Sequence, residues 1–341
     1  MTKIRENAVD ESWLAQRVEP ILEPEIPVID PHHHLFVGGP LDYPVATLLK
    51  DAQSGHNVVA TVYSDGGNSN YRKDGPVHLR PVGETEFVAR VTAFYQDGKS
   101  GPRLCAGIGG VADFMRGAAA EEVFQAHVAA GQGRFRVIRG HTHSDTDPAA
   151  VVAGVNWPPG LLGDKTFRAA FAKLAPLNLA YDSWAYHHQL DELADLARAF
   201  PETTIVMNHV GGPLGVGSYA AKRDEVRALW RKGIEAAARC PNIHVKIGGL
   251  ATTVMGVDLW NRATPVSSEE IVKVWAPWLE PCIQLFGPSR CMFESNFPVD
   301  KRSHSFAVLF NAFKRIAKGY TAEEKRMLFA GTAATVYRIA L

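Results

Sequence analysis

Eight short runs of apolar and β-branched residues, separated by helical patterns, constrain this chain more than any other feature. The strand-like runs cover Pro27–Phe36, His56–Ser64, Arg103–Val111, Arg134–Gly140, Leu177–Trp184, Thr203–Asn208, Asn242–Ile247 and Arg290–Glu294. Apolar residues at helical period fill Gly83–Gln96, Ala119–Ala130, Thr166–Leu174, His188–Ala199, Lys222–Arg239, Ser267–Phe286 and Ser305–Ala317. Ser267 with Glu270, and Thr321 with Glu324, are spaced as capping boxes, the second opening a helix that runs to the C-terminus. Such alternation predicts a parallel sheet with helical crossovers, and the count fits a closed (β/α)8 TIM barrel of class α/β better than an open sheet. No GxGxxG follows the first strand, as a dinucleotide-binding sheet would require, and Gly107–Gly110 lies inside a strand. No composition break divides 26–341, so one barrel is expected there. Residues 1–25 read as an N-terminal arm with a short helix near Glu11–Val18.

Composition narrows the function. Lys+Arg and Asp+Glu are 36 each, with no basic run, which gives no electrostatic reason to bind nucleic acid or an anionic membrane. No stretch approaches 18 uninterrupted apolar residues, and the first 20 contain no apolar signal core. Cys105, Cys240, Cys282 and Cys291 are far apart and form no CxxC; they read as reduced thiols of a cytoplasmic protein. A small-molecule substrate is the expected partner.

In a barrel of this kind chemistry belongs at the C-terminal ends of the strands. The first strand, PVIDPHHHLF, sends His32 and His34 to one face and His33 to the other. Two imidazoles so placed can share a metal ion or flank a substrate. The other strand ends contribute Tyr63 and Asp65, Arg136 and Arg139, then Asp182, Trp184 and His187, followed by His209, Lys246 and a final group of Glu294, Asn296 and Asp300. His209 precedes a glycine turn, Val210-Gly211-Gly212-Pro213, that holds it over the mouth. A guanidinium fork at Arg136 or Arg139 suits a substrate carboxylate. His141 and His143 follow on a loop, and the Asp65–Pro81 and His143–Pro159 loops are expected to set specificity.

With these residues in place the chain resembles the amidohydrolase superfamily. It is most similar to the branch with sugar-lactone and pyrone-dicarboxylate lactonases, which is related to aminocarboxymuconate-semialdehyde decarboxylase. IDPHHHLF, FRVIRG, YDSWAYHHQL, MNHVGGP, VKIGGL and RCMFESNFPVDK carry the resemblance, from about Pro27 to the C-terminus. It implies that His32, His34 and His187 ligate a divalent metal, zinc or manganese. It also implies that His209 polarises substrate or shuttles a proton. The strand-8 position that is usually Asp in this family is Asn296 here. An amide takes no proton from water at neutral pH, so a metal-independent mechanism is open as well. Asp300 is the preferred substitute base, as the carboxylate placed nearer solvent; Glu294, one layer deeper and beside Lys246, and Asp65 are the others.

The expected activity is hydrolysis of a lactone, or a cyclic ester or amide, on a carboxylated or polyhydroxylated small molecule. Non-oxidative decarboxylation of an aromatic or unsaturated acid is the alternative on the same fold. A non-catalytic ligand-binding barrel is a third reading, motivated by Asn296. By analogy with related barrels, a homo-oligomer is expected.

Overall fold

The computed structural model describes residues 8–66, 70–99, 101–152 and 154–341. Eight parallel strands pair in chain order: β1 (Pro27–His33), β2 (Asn57–Ser64), β3 (Arg103–Val111), β4 (Phe135–His141), β5 (Ala180–Trp184), β6 (Ile205–Met207), β7 (Ile243–Gly248) and β8 (Cys291–Glu294). The seam between β8 and β1 is closed by side chains and loop backbone. Ser295 donates to Asp30 through its hydroxyl (2.6 Å) and its N–H (2.9 Å), Asn296 N donates to His32 O (2.9 Å), and His34 N to Phe297 O (2.7 Å). The fold is therefore a nearly closed (β/α)8 barrel.

A short α1 (Glu11–Leu14) precedes the barrel, and the outer layer is α2 (Val45–Ala52), α3 (Val82–Val91), α4 (Glu121–Ala130), α5 (Lys165–Phe171), α6 (Leu190–Ala199), α7 (Arg223–Ala238), α8 (Ser268–Phe286) and α9 (Phe306–Ile316). Both expected capping boxes form, at Ser267/Glu270 and at Thr321/Glu324. Three expected helices differ. The N-terminal one is a single turn ending at Leu14, and α3 stops at Val91, where the Thr92 hydroxyl takes the Val88 carbonyl (2.7 Å). The C-terminal helix is interrupted. After α10 (Ala322–Arg326) comes a wide π turn, Met327–Gly331, that buries Leu328, Phe329 and Ala330, and then α11 (Thr332–Tyr337). Helix α2 was not anticipated from the sequence.

Two cores result. The larger fills the space between sheet and helices, where Phe293 of β8 stacks on Phe313 of α9 with ring centres 4.5 Å apart. The smaller lies inside the barrel, where Ile29, Ala60, Val137 and Met292 from the first halves of their strands meet Ala333 and Tyr337. Thus α11 plugs the N-terminal end, and the polar residues of the strands are left at the other. The arm is fastened down. Trp13 is buried, and the Lys301 ammonium joins Glu11 (2.6 Å) to Asp51 of α2 (2.7 Å). No helix among the described residues is long and apolar enough to cross a membrane.

His304 shows how burial makes this fold acid-sensitive. Its ring lies between Trp275 (5.5 Å) and Phe297 (6.0 Å), and neither nitrogen has a hydrogen-bond partner among the described residues. Burial pulls its pKa down from 6.5 to about 3. Between these two values the unfolded chain binds a proton that the folded chain refuses, so stability falls as pH drops through the window. His304→Phe is expected to move the midpoint of acid unfolding, followed by circular dichroism, to lower pH by about half a unit. An unchanged midpoint would contradict this account.

Candidate functional site

At the C-terminal mouth, Glu294 stands between two imidazoles. Its Oε1 accepts from His209 Nδ1 (2.7 Å) and from the His209 main-chain N–H (3.1 Å), while its Oε2 lies 3.0 Å from His32 Nδ1. All three side chains are fully or almost fully buried. His209 reaches this position because its own φ (49°) and that of Val210 (48°) are left-handed, which turns the ring from the end of β6 toward β8. Such backbone costs about 1–3 kcal/mol per residue and persists only where the surroundings enforce it. Trp184 packs edge-on against the His209 ring, with ring centres 4.8 Å apart.

Burial raises the Glu294 pKa to about 8, against the pull of the nearby Lys246 ammonium. Burial likewise holds His32, His34 and His209 well below 6.5, helped by Lys246 and Arg139. Carboxyl and imidazoles are thus pushed toward neutral forms together, and a hydrogen bond rather than a full ion pair joins Glu294 to His209 near pH 7, whereas Glu294 Oε2 approaches His32 without the alignment of a hydrogen bond.

The neighbouring groups fix ring protons. His34 Nδ1 faces the Ser64 carbonyl at 2.7 Å. A carbonyl only accepts, so the proton sits on Nδ1 and Nε2 carries a lone pair. The His34 and His32 rings meet edge-on at 5.0 Å, and the His32 and His209 rings lie 4.8 Å apart. His32 Nε2 is buried with no partner among the described residues. Beneath His32, the Lys246 ammonium donates to Asp182 (2.9 Å) and lies 3.3 Å from His32 Nδ1.

One ligand atom each from His32, His209 and Glu294 lie within 4.8 Å of one another. Two imidazole nitrogens and a carboxylate oxygen at this spacing, with one nitrogen otherwise orphaned, suit a divalent ion of the zinc type.

Residues 29–339 match the Amidohydrolase family. The chain belongs to that family. It is 33% identical over 333 residues to the uncharacterized protein y4mH of Sinorhizobium fredii, which covers 92% of this chain and 99% of the relative. An L-fucono-1,5-lactonase of Burkholderia multivorans is 27% identical over 203 residues, 59% of this chain and 63% of that protein. Among solved structures, an amidohydrolase from Burkholderia multivorans with bound zinc superimposes with a TM-score of 0.68 at 22% identity. That match covers 92% of this chain and 99% of the other, and is a likeness of fold. The family and its lactonase relatives make this protein an enzyme of the hydrolase class, and the reading as a non-catalytic barrel falls.

In this amidohydrolase the remaining sequence candidates divide by position. His33 points away from the HxH face, as expected, to Thr61 (2.8 Å). His187, grouped with His32 and His34 in the sequence, lies outside the His32–His209–Glu294 cluster. Its ring packs against His188 (5.2 Å) and Tyr219 (5.5 Å), Leu214 N donates to its Nδ1 (3.5 Å), and burial lowers its pKa to about 4. Arg139 is at the mouth. Its Nη1 donates to the Asp65 carbonyl (2.8 Å) and its Nε has no partner among the described residues. His143 packs against Trp184 (5.8 Å), so it belongs to the same wall rather than to solvent.

Three expectations are corrected. Arg136 lies near the start of β4 and donates to Tyr337 O (2.7 Å) in the plug, at the opposite end from the mouth. Tyr63 turns outward, its hydroxyl on Glu84 of α3 (3.0 Å), because Ala60 and Val62 hold the inward alternation of β2. Asp300 is not nearer solvent than Glu294; both are fully buried. It accepts from Asn296 Nδ2 (2.8 Å) and Ala251 N (3.1 Å), and burial raises its pKa to about 7. The second hydrogen of the Asn296 amide goes to Thr252 Oγ1 (3.1 Å), so Asp300 and Thr252 orient that amide. Of the two specificity loops, 67–69 and 153 lie outside the described residues.

Proposed function

We propose that this amidohydrolase opens the ring of a small lactone bearing a free carboxylate, by attack of water on the ring carbonyl at the barrel mouth. The observation that carries the reading is the Glu294 carboxyl shared by His209 and His32, in a chain related to L-fucono-1,5-lactonases.

His32, His209 and Glu294 would hold one divalent ion, which when bound supplies Lewis acidity and a more acidic water. The bound zinc of the Burkholderia multivorans structure, a protein of like fold, supports zinc as the ion. The chain's own groups account for proton transfer. In the metal-free site His209, with Nδ1 facing Glu294, presents Nε2 to accept a proton from the attacking water and return it to the departing ring oxygen; with the ion on one ring nitrogen the other would carry the ring proton, and the acidified water would need no such base. Glu294 stabilises the imidazolium formed in between, and Trp184 keeps the ring from rotating. Asn296 is held by Asp300 and Thr252 and takes no part in proton exchange. The unengaged Nε of Arg139 orients the substrate carboxylate, which also offsets a buried guanidinium charge.

The test is a panel of neutral sugar lactones and lactones carrying a carboxylate, followed by acid release with a pH indicator, before and after chelation. Carboxylated lactones are expected to show kcat/KM at least about tenfold above neutral ones. Release of carbon dioxide without ring opening, or no turnover of any lactone, would refute the proposal.

A further inference from the structure

Lys246, from the motif VKIGGL, has no part in the chemistry above, yet only 1% of it is exposed and it lies at the floor of the site. Its ammonium donates to Asp182 Oδ2 (2.9 Å), and the Tyr337 ring of the plug lies beneath it at 5.7 Å. Its other polar neighbour is His32 Nδ1 at 3.3 Å, an atom that also lies 3.0 Å from Glu294 Oε2. These two neighbours make opposite demands on one ring nitrogen. An ionised carboxylate accepts an N–H, which places the ring proton on Nδ1 and leaves Nε2 with its lone pair for a metal. An ammonium has only protons to offer, so it takes up the Nδ1 lone pair and sets the ring proton on Nε2, leaving neither nitrogen free for a metal.

We infer that Lys246 is a resident cation that weakens the hold of the His32–His209–Glu294 centre on a divalent metal, by its charge and by biasing His32 toward the non-ligating tautomer. The inference rests on the reading of that centre as a metal site. Asp182 keeps the ammonium in place, and its carboxylate compensates the charge in the absence of metal. The centre is therefore built to exchange its ion or to persist in folded form without one, in contrast to a closed structural zinc site.

The test is zinc affinity of the full chain, by competition with a chromophoric chelator, in wild type, Lys246→Met, Lys246→Arg and the double variant Lys246→Met/Asp182→Asn. Lys246→Met is expected to bind zinc at least about tenfold more tightly, and Lys246→Arg, which keeps the charge, to match wild type within about threefold. The double variant removes both partners of the buried pair, leaving no lone charge to unfold the barrel, and is expected to bind more tightly than wild type as well. Histidine 15N chemical shifts of the metal-free protein should show His32 moving toward the Nδ1–H tautomer in both Met variants. Unchanged or weaker zinc binding in the Met variants, with stoichiometric zinc on wild type, would overturn the inference alone. Absence of zinc binding in every variant would overturn the metal reading of the centre together with it.

Discussion

Glu294→Gln is expected to lower kcat by about 10²–10³ while leaving the fold as stable as the wild type near pH 7. Glutamine reproduces the neutral form of the carboxyl. Its oxygen accepts the two His209 N–H groups that Oε1 accepts now, and its amide can donate to His32 Nδ1. It cannot ionise, and so cannot stabilise an imidazolium at His209 or share its proton. With the Glu294 pKa raised to about 8 by burial, the ionised carboxylate is a minority species at neutral pH. The loss should therefore be larger on the alkaline side, where wild type gains the carboxylate and the variant gains nothing. Steady-state kinetics across pH 6–9 and a melting temperature measured alongside would check this. A variant with wild-type turnover would remove Glu294 from the mechanism and leave His209 to act without a carboxylate partner.

The sequence conveyed the scaffold well because its signals are local. Ser267 and Glu270 cap a helix through residues three apart, and the period-2 alternation at His32, His33 and His34 sorts those rings whatever the rest of the chain does. It conveyed the site less well because the site is a matter of which distant side chains meet. Glu294 pairs with His209 across 85 positions, and the pairing depends on two left-handed residues at a non-glycine site. No propensity announces such backbone. Tyr63 was misplaced by the same alternation that served His32, since a strand end read one residue out of phase turns every side chain to the wrong face. Arg136 is misplaced along the strand axis instead; three residues before Arg139, it lies about 10 Å lower on β4. Asp300 was given access to solvent because it follows the strand, but the chain turns back at once and buries it under Asn296. Gly249 carries no signal in the sequence beyond the motif VKIGGL, yet it decides whether the His209 ring fits.

Gly249→Ala is accordingly expected to reduce kcat by about 10², comparable to a direct change at the histidine, although residue 249 has no chemical group to contribute. A Cβ at this position would fall 2.0 Å from His209 Nδ1 and 2.5 Å from its Cγ, far inside any contact distance. That nitrogen is the atom that meets Glu294 at 2.7 Å, so the imidazole must leave the carboxyl to make room. It has little freedom to do so, because the His32 and Trp184 rings each lie 4.8 Å from it. The backbone adds a second penalty: φ at Gly249 is +71°, a conformation that costs an alanine about 1–2 kcal/mol relative to glycine. Both effects should appear together, as a lower melting temperature and a loss of kcat with KM changed much less. Gly319→Ala, whose added methyl would meet nothing within 4 Å, serves as the control and should alter stability by no more than about 0.5 kcal/mol. If Gly249→Ala retained full turnover, the hydrogen bond between His209 and Glu294 would be dispensable, and the catalytic proton path would have to run elsewhere.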